Sequence, residues 1–427
     1  MDNSISSIVL VQGASHVYEV STQKGLAFLG VLPGAQTREL LERYLSIGRF
    51  AFYKKQTRVW ESLHHQYPKD TGFVVLPMDM EYMQAGKLKR ASRYPQQMEE
   101  LAEIKAKNAE RFFPFVFADP RRMVAEGKEH FDYSFQDGQV TLKDCFIQRF
   151  IEGKSFNGFK IYPALGYFPF DETLLPLWKY AADRGLPIMT HCIRGTIYYR
   201  GKKKMEWDRH AVIEESYGKQ LYEPLWMREI RAKDFANNFT HPLNYLCLLE
   251  EQLLRKLVAK AKDDRIRQLF GFVDPTTPLK YNLAHLKLCF GHYGGDDEWA
   301  RFMESDADQY SQQLVKNARE GIKFLPHENG EPTPGKLSHL WKFTDWYSLI
   351  SSMMLQYEHV YADISYILHS EKIQPLLKQT LRNEKLRKHV LFGTDYYVVR
   401  NHLSEKAMLA AIQFNLGDTD FDQIARV

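Results

Sequence analysis

Three short apolar runs in this chain stop on a side chain that can bind a metal ion or carry a proton. LPIMTH ends at His191, LKLCFGH at His292 and HVLFGTD at Asp395. Imidazole and carboxylate donors suit zinc or a similar divalent ion, and both serve in general acid–base catalysis. One histidine closing an apolar run is ordinarily a hydrogen-bonded core residue. The same ending on three runs points instead to a metal or catalytic site. Gly294 and Gly295 allow a sharp bend after His292, and Gly393 allows close approach before Asp395.

Other residues are candidates for the same place. Lys160 lies inside FNGFKIYP, where alternation puts it on one side with Gly158 and Tyr162. A lysine inside a strand is costly unless paired, so it is expected to bind a substrate carboxylate or a carboxylate of the protein. Arg194, three residues past His191, can clamp an anionic substrate or bond to loop carbonyls. Asp363 closes the run VYAD and needs a partner if buried, with His292 or Lys160 the expected ones. Asp79, in PMDMEYM, either orients a metal-bound imidazole or stands in water as a loop carboxylate.

These residues need a scaffold that brings them together. Strands are expected at 7–13, 72–78, 111–118, 156–163, 186–191, 286–292, 359–365 and 389–395, mostly without polar alternation, as in a parallel sheet covered on both faces. Helices are expected between them at 97–112, 141–153, 172–185 and 370–388. Gly185 stands where a helix-ending glycine belongs. Eight strands alternating with helices fit a TIM-type (β/α)8 barrel of the α/β class, although a doubly wound open sheet gives a similar local pattern. In a barrel every strand's C-terminal end opens on one face, so the three strand ends converge. Residues 1–427 read as a single domain with a helical insertion at about 196–284 that includes the charged segment 250–270.

Composition narrows the function. With 57 Lys+Arg against 53 Asp+Glu, the net charge of +4 gives no basic field for nucleic acid. The four cysteines, Cys145, Cys192, Cys247 and Cys289, form no CxxC pair and suit a reducing compartment. No secretory pattern opens the chain and no apolar run reaches about 18 residues, so the expected setting is cytoplasmic and away from membranes. GxSxG, Walker and GxGxxG patterns are missing, which lowers serine-hydrolase, NTPase and dinucleotide functions.

Taken in order, GFKIYPALGYFP (158–169), MTHC (189–192), LKLCFGHYGG (286–295), VYADIS (360–365) and LFGTD (391–395) resemble the amidohydrolase superfamily. The similar branch contains metal-dependent hydrolases and decarboxylases related to aminocarboxymuconate semialdehyde decarboxylase, and the match spans about residues 70–400. The resemblance implies a mononuclear metal at the C-terminal face, with His191 and Asp395 as ligands and His292 polarising substrate or shuttling protons. The family's His-x-His after the first strand corresponds to Ala14-Ser15-His16, so His16 is the remaining expected ligand and Ala14 departs from the pattern. The implied function is hydrolysis of a C–N or C–O bond in a small molecule by metal-activated water, zinc being the expected ion and Asp395 the base. Decarboxylation and a non-catalytic barrel that has lost its metal are the alternatives, and a homodimer is expected by analogy.

Overall fold

The computed structural model describes residues 7–12, 55–86, 94–195, 197–218, 221–304, 310–325, 335–396 and 405–425. Ala14 and His16 fall outside the described residues.

The chain is an α/β protein built on a parallel, chain-ordered set of eight strands. They are β1 (Ser7–Gln12), β2 (Thr71–Leu76), β3, β4 (Phe159–Ile161), β5 (Ile188–His191), β6 (Leu288–Gly291), β7 (Val360–Asp363) and β8 (Val390–Leu391). β3 comes in two pieces, Phe112–Pro114 and Val116–Phe117. The first piece pairs with β2 and the second with β4, so one stretch of chain carries the succession across. Every other neighbour pair follows the same order and direction. This is the strand order of a (β/α)8 fold, and among the described pairings none joins β8 to β1.

β5 and β6 are buried at every residue, which explains their unbroken apolar character. Leu76, Phe115, Met189 and Cys289 pack with Val74, Tyr361 and Leu391 as one small apolar cluster. Side chains two positions apart share a strand face, so His191 follows Met189, and Asp363 follows Tyr361, on the same side. The polar strand ends therefore stand directly beyond an apolar layer. A much larger core lies elsewhere, with Trp178, Trp299 and Trp346 fully buried in it.

Helices close the other faces. Leu175–Arg184 ends at Gly185, whose φ of 64° is left-handed, as the sequence predicts. Trp346–Gln356 starts at Asp345, whose side chain accepts from the Ser348 amide at 2.6 Å. Several expected helices are shorter or broken. Residues 141–142 belong to the strand Gln139–Leu142, so the helix expected from 141 begins at Phe146. Residues 370–388 divide into Gln374–Leu381 and Glu384–His389, because the Asn383 carboxamide accepts from the amides of residues 385 and 386 and starts a new helix. Asp263 does the same inside 250–270, separating Glu251–Ala259 from Asp264–Leu269.

The insertion is not wholly helical. It opens with an antiparallel hairpin, Arg209–Ser216 against Tyr222–Trp226, before the helix Ala232–Thr240. Among the described residues no helix is long and apolar enough to cross a membrane. All four cysteines are buried and unbridged.

Candidate active site

β5 delivers His191 at its last residue, and β6 delivers His292 just past its end. The two backbones run very close here, since a Cβ on Gly291 would lie 2.6 Å from the Thr190 carbonyl oxygen. Only glycine fits, and the result is direct contact of the imidazoles. Nε2 of His292 lies 3.1 Å from Nδ1 of His191, with the rings at 75°.

The hydrogen bonds assign the tautomers. Nδ1 of His292 lies 3.2 Å from the Ser365 carbonyl and 2.9 Å from its hydroxyl. A carbonyl only accepts, so the proton of His292 sits on Nδ1 and its Nε2 accepts from Nδ1–H of His191. Nε2 of His191 is then an unprotonated nitrogen, buried and without a hydrogen-bond partner. Burial, then the neighbouring His292 and Lys160, hold the His191 pKa well below the usual imidazole value, and the Ile193 carbonyl offsets this in part. The ring lies face to face with Tyr162, 3.7 Å between centroids and 13° between planes.

Asp363, at the end of β7, accepts from the Ser365 amide at 2.8 Å and the His292 amide at 3.3 Å. The expected partnership with His292 is therefore made through the backbone. Lys160 on β4 is 1% exposed. Burial pulls its pKa down to about 8, against the opposing pull of the Asp363 and Asp395 carboxylates. Asp395 is buried beyond β8 and also acts on Tyr162, whose hydroxyl is kept protonated by burial first and that carboxylate second. Lys160, His191, His292, Asp363 and Asp395 thus share one neighbourhood.

Strain collects at the same rim. His292, Tyr293, Tyr366 and Asp395 all take positive φ, between 43° and 65°, without being glycine. Such conformations cost about 1–3 kcal/mol each and persist where surrounding structure fixes them.

Two expected members are engaged elsewhere. Asp79 takes Nε of Arg122 at 2.6 Å and a second guanidinium N–H at 3.1 Å, so it pairs with an arginine and orients no imidazole. The Arg122 guanidinium also binds Glu81 and Glu126, an anionic surround strong enough to turn a buried cation into a stable link between strand ends. Arg194 pairs with Glu298 at 3.1 Å and lies over the Trp346 ring. Reasoning from sequence missed Tyr162 and Ser365. Alternation from Lys160 already put Tyr162 on the site side, whereas Ser365 lies beyond its strand, where no periodicity applies.

A divalent ion was tested against these donors. The open Nε2 of His191 fits one, being a buried lone pair that nothing else satisfies. Among the described residues, however, no group of three or more His, Cys, Asp or Glu side chains is arranged to hold an ion. The described side chains alone therefore do not make a complete donor set.

No protein-family model matches the chain, and no curated protein is detectably similar to it in sequence. Solved structures are similar to it over most of its length. The 2,6-dihydroxybenzoate decarboxylase from Rhizobium is 13% identical with a TM-score of 0.43, covering 98% of this chain and 96% of that one. The 5-carboxyvanillate decarboxylase from Sphingomonas paucimobilis is 12% identical with a TM-score of 0.44, covering 99% and 97%. A putative amidohydrolase from Staphylococcus aureus is 14% identical with a TM-score of 0.41, covering 86% and 87%. Similarity at this level leaves the reading of function to the side chains themselves.

Proposed function

We propose that this chain is a metal-dependent enzyme hydrolysing a C–N or C–O bond in a small anionic molecule. His191 and Asp395 are read as ligands, with His16 as the third, and zinc as the ion. The observation that carries this reading is the unsatisfied Nε2 of His191, buried among Lys160, His292 and the two carboxylates. What a divalent ion supplies at such a place is Lewis-acid polarisation and a lower pKa for water.

The protein's own groups have definite tasks in this mechanism. The Lys160 ammonium holds a substrate carboxylate, a charge-assisted contact strengthened by burial. Asp395 takes the proton of the attacking water. His292, fixed by Ser365, accepts the Nδ1 proton of His191 through its own Nε2, which holds the His191 ring so that Nε2 of His191 presents its lone pair. The apolar layer beneath keeps bulk water from the strand ends.

Decarboxylation is the second reading, favoured specifically by the buried Lys160 cation, which suits a carboxylated substrate. Elemental analysis of purified protein tests the metal. Near-stoichiometric ion that is lost in His191→Ala and Asp395→Ala is the expected result. A wild-type protein that retains no ion after reconstitution with zinc, manganese and iron overturns the reading in favour of a non-catalytic barrel.

A further inference from the structure

The imidazole of His191 has two neighbours whose roles the reading above leaves unused. Tyr162 covers one face of its ring. Gly195 lies opposite its open nitrogen: a Cβ built there would stand 3.3 Å from Nε2 of His191 and 3.6 Å from the Tyr162 hydroxyl. The backbone does not explain this glycine, because Gly195 is not among the residues with positive φ. What distinguishes position 195 is space, and that space is bounded by a lone pair and a phenol hydroxyl.

We propose that Tyr162 and Gly195 are positioning residues for His191: the phenol ring fixes the imidazole plane, and the missing side chain at 195 keeps Nε2 open to a ligand. The stacked ring leaves the imidazole free to turn only within its own plane. The bond from Nδ1 to His292 removes that remaining freedom, so Nε2 faces one direction. An ion bound to an imidazole nitrogen sits roughly 2.0–2.1 Å away, inside the volume that a methyl group at 195 would contest. The Tyr162 hydroxyl at the edge of this volume can donate to an oxygen of whatever binds there. The ligand part of this inference rests on the metal reading above, whereas the orientation of the imidazole does not.

Full-length protein labelled with 15N-histidine, wild type and three variants, tests both parts by NMR. The His191 signals are assigned by their loss in His191→Ala. The wild type is expected to carry its proton on Nδ1, with Nε2 bare. Tyr162→Phe retains the ring and should retain that signature, while Tyr162→Leu should lose the single tautomer. A wild-type Nε2 that carries a proton, or a Tyr162→Leu spectrum that matches the wild type, overturns the role of Tyr162. Zinc alone is then titrated. It should shift Nε2 in the wild type and in Tyr162→Phe, with at least tenfold weaker binding in Gly195→Ala, whose tautomer should be unchanged. Equal zinc binding in Gly195→Ala overturns the role of Gly195 and leaves the metal reading standing. Zinc that leaves the wild-type Nε2 unmoved removes the metal reading and the Gly195 role together, while the tautomer result still decides Tyr162.

Discussion

Nε2 of His292 stands 3.1 Å from Nδ1 of His191, although 101 positions separate them in the chain. Both rings are buried, and the hydrogen bonds run from His191 to His292 and on to the Ser365 carbonyl. If His292 orients His191 in this way, removing it should cost about 10–100-fold in kcat, the range for a lost partner of a ligand imidazole. Ser365→Ala should cost about 10–100-fold, because only the orientation of the ring is lost. Steady-state rates on a substrate found by screening small carboxylates check both, and an undiminished rate in His292→Ala would sink the proposed role.

Lys160 gives a pH signature. Its pKa of about 8 means that the ammonium is present at pH 7 and discharges as the pH rises through that value. KM for an anionic substrate should therefore increase between pH 7 and 9. Lys160→Gln should raise KM at pH 7 by about tenfold or more and flatten that rise, the loss of one charged hydrogen bond being about 1.5–3 kcal/mol. A KM that is equally pH-dependent in the variant assigns the titration to another group.

Acid should destabilise the fold earlier than carboxylate titration alone would. Burial holds His210 down to about 4 and His130, with help from Arg122, down to about 3. His191 and His241 are held well below the ordinary value, again by burial first. The unfolded chain takes up these protons near pH 6.5 and the folded chain does not, so stability is lost as the pH falls below that point. Each such histidine contributes a slope of about 1.4 kcal/mol per pH unit at full effect. Buried Asp79, Asp345 and Glu298, with pKa values raised chiefly by burial, bind protons more readily folded than unfolded and so oppose this trend in part. Tm measured from pH 7.5 to 5.5 should fall steadily, and a flat profile would contradict the burial of neutral imidazoles.

Gly291→Ala should damage stability and activity together. Its methyl group would meet backbone, the Thr190 carbonyl, rather than a side chain that can turn away. Overpacking of this kind costs about 1–3 kcal/mol and would push β5 from β6, drawing the imidazoles apart. Denaturant unfolding measures the first effect and the rate of the folded fraction the second.

Much of the scaffold was legible in the sequence because doubly buried parallel strands are written as continuous apolar runs. All eight expected strands are present, each shorter than expected, with β2 starting one residue early and β3 split in two. Helix lengths were harder to read, since Asn383 and Asp263 look like ordinary polar positions until their side chains turn back onto the next amides. The hairpin Arg209–Ser216 with Tyr222–Trp226 was missed because the surrounding charge density reads as helix or loop. Strand endings pointed to His191, His292, Asp363 and Asp395, which the structure brings into one neighbourhood. They did not reveal that Asp79 would be taken by Arg122 or Arg194 by Glu298, because competition for a charged partner is settled in space.

The chain-ordered sheet also has a consequence for how function is acquired. Lys160, His191, His292, Asp363 and Asp395 each belong to a different one of the strands β4 to β8 or to its end. From Lys160 to Asp395 these groups span more than half of the chain. Their common neighbourhood is therefore a property of the assembled sheet: it exists only where β4 to β8 lie side by side in that order.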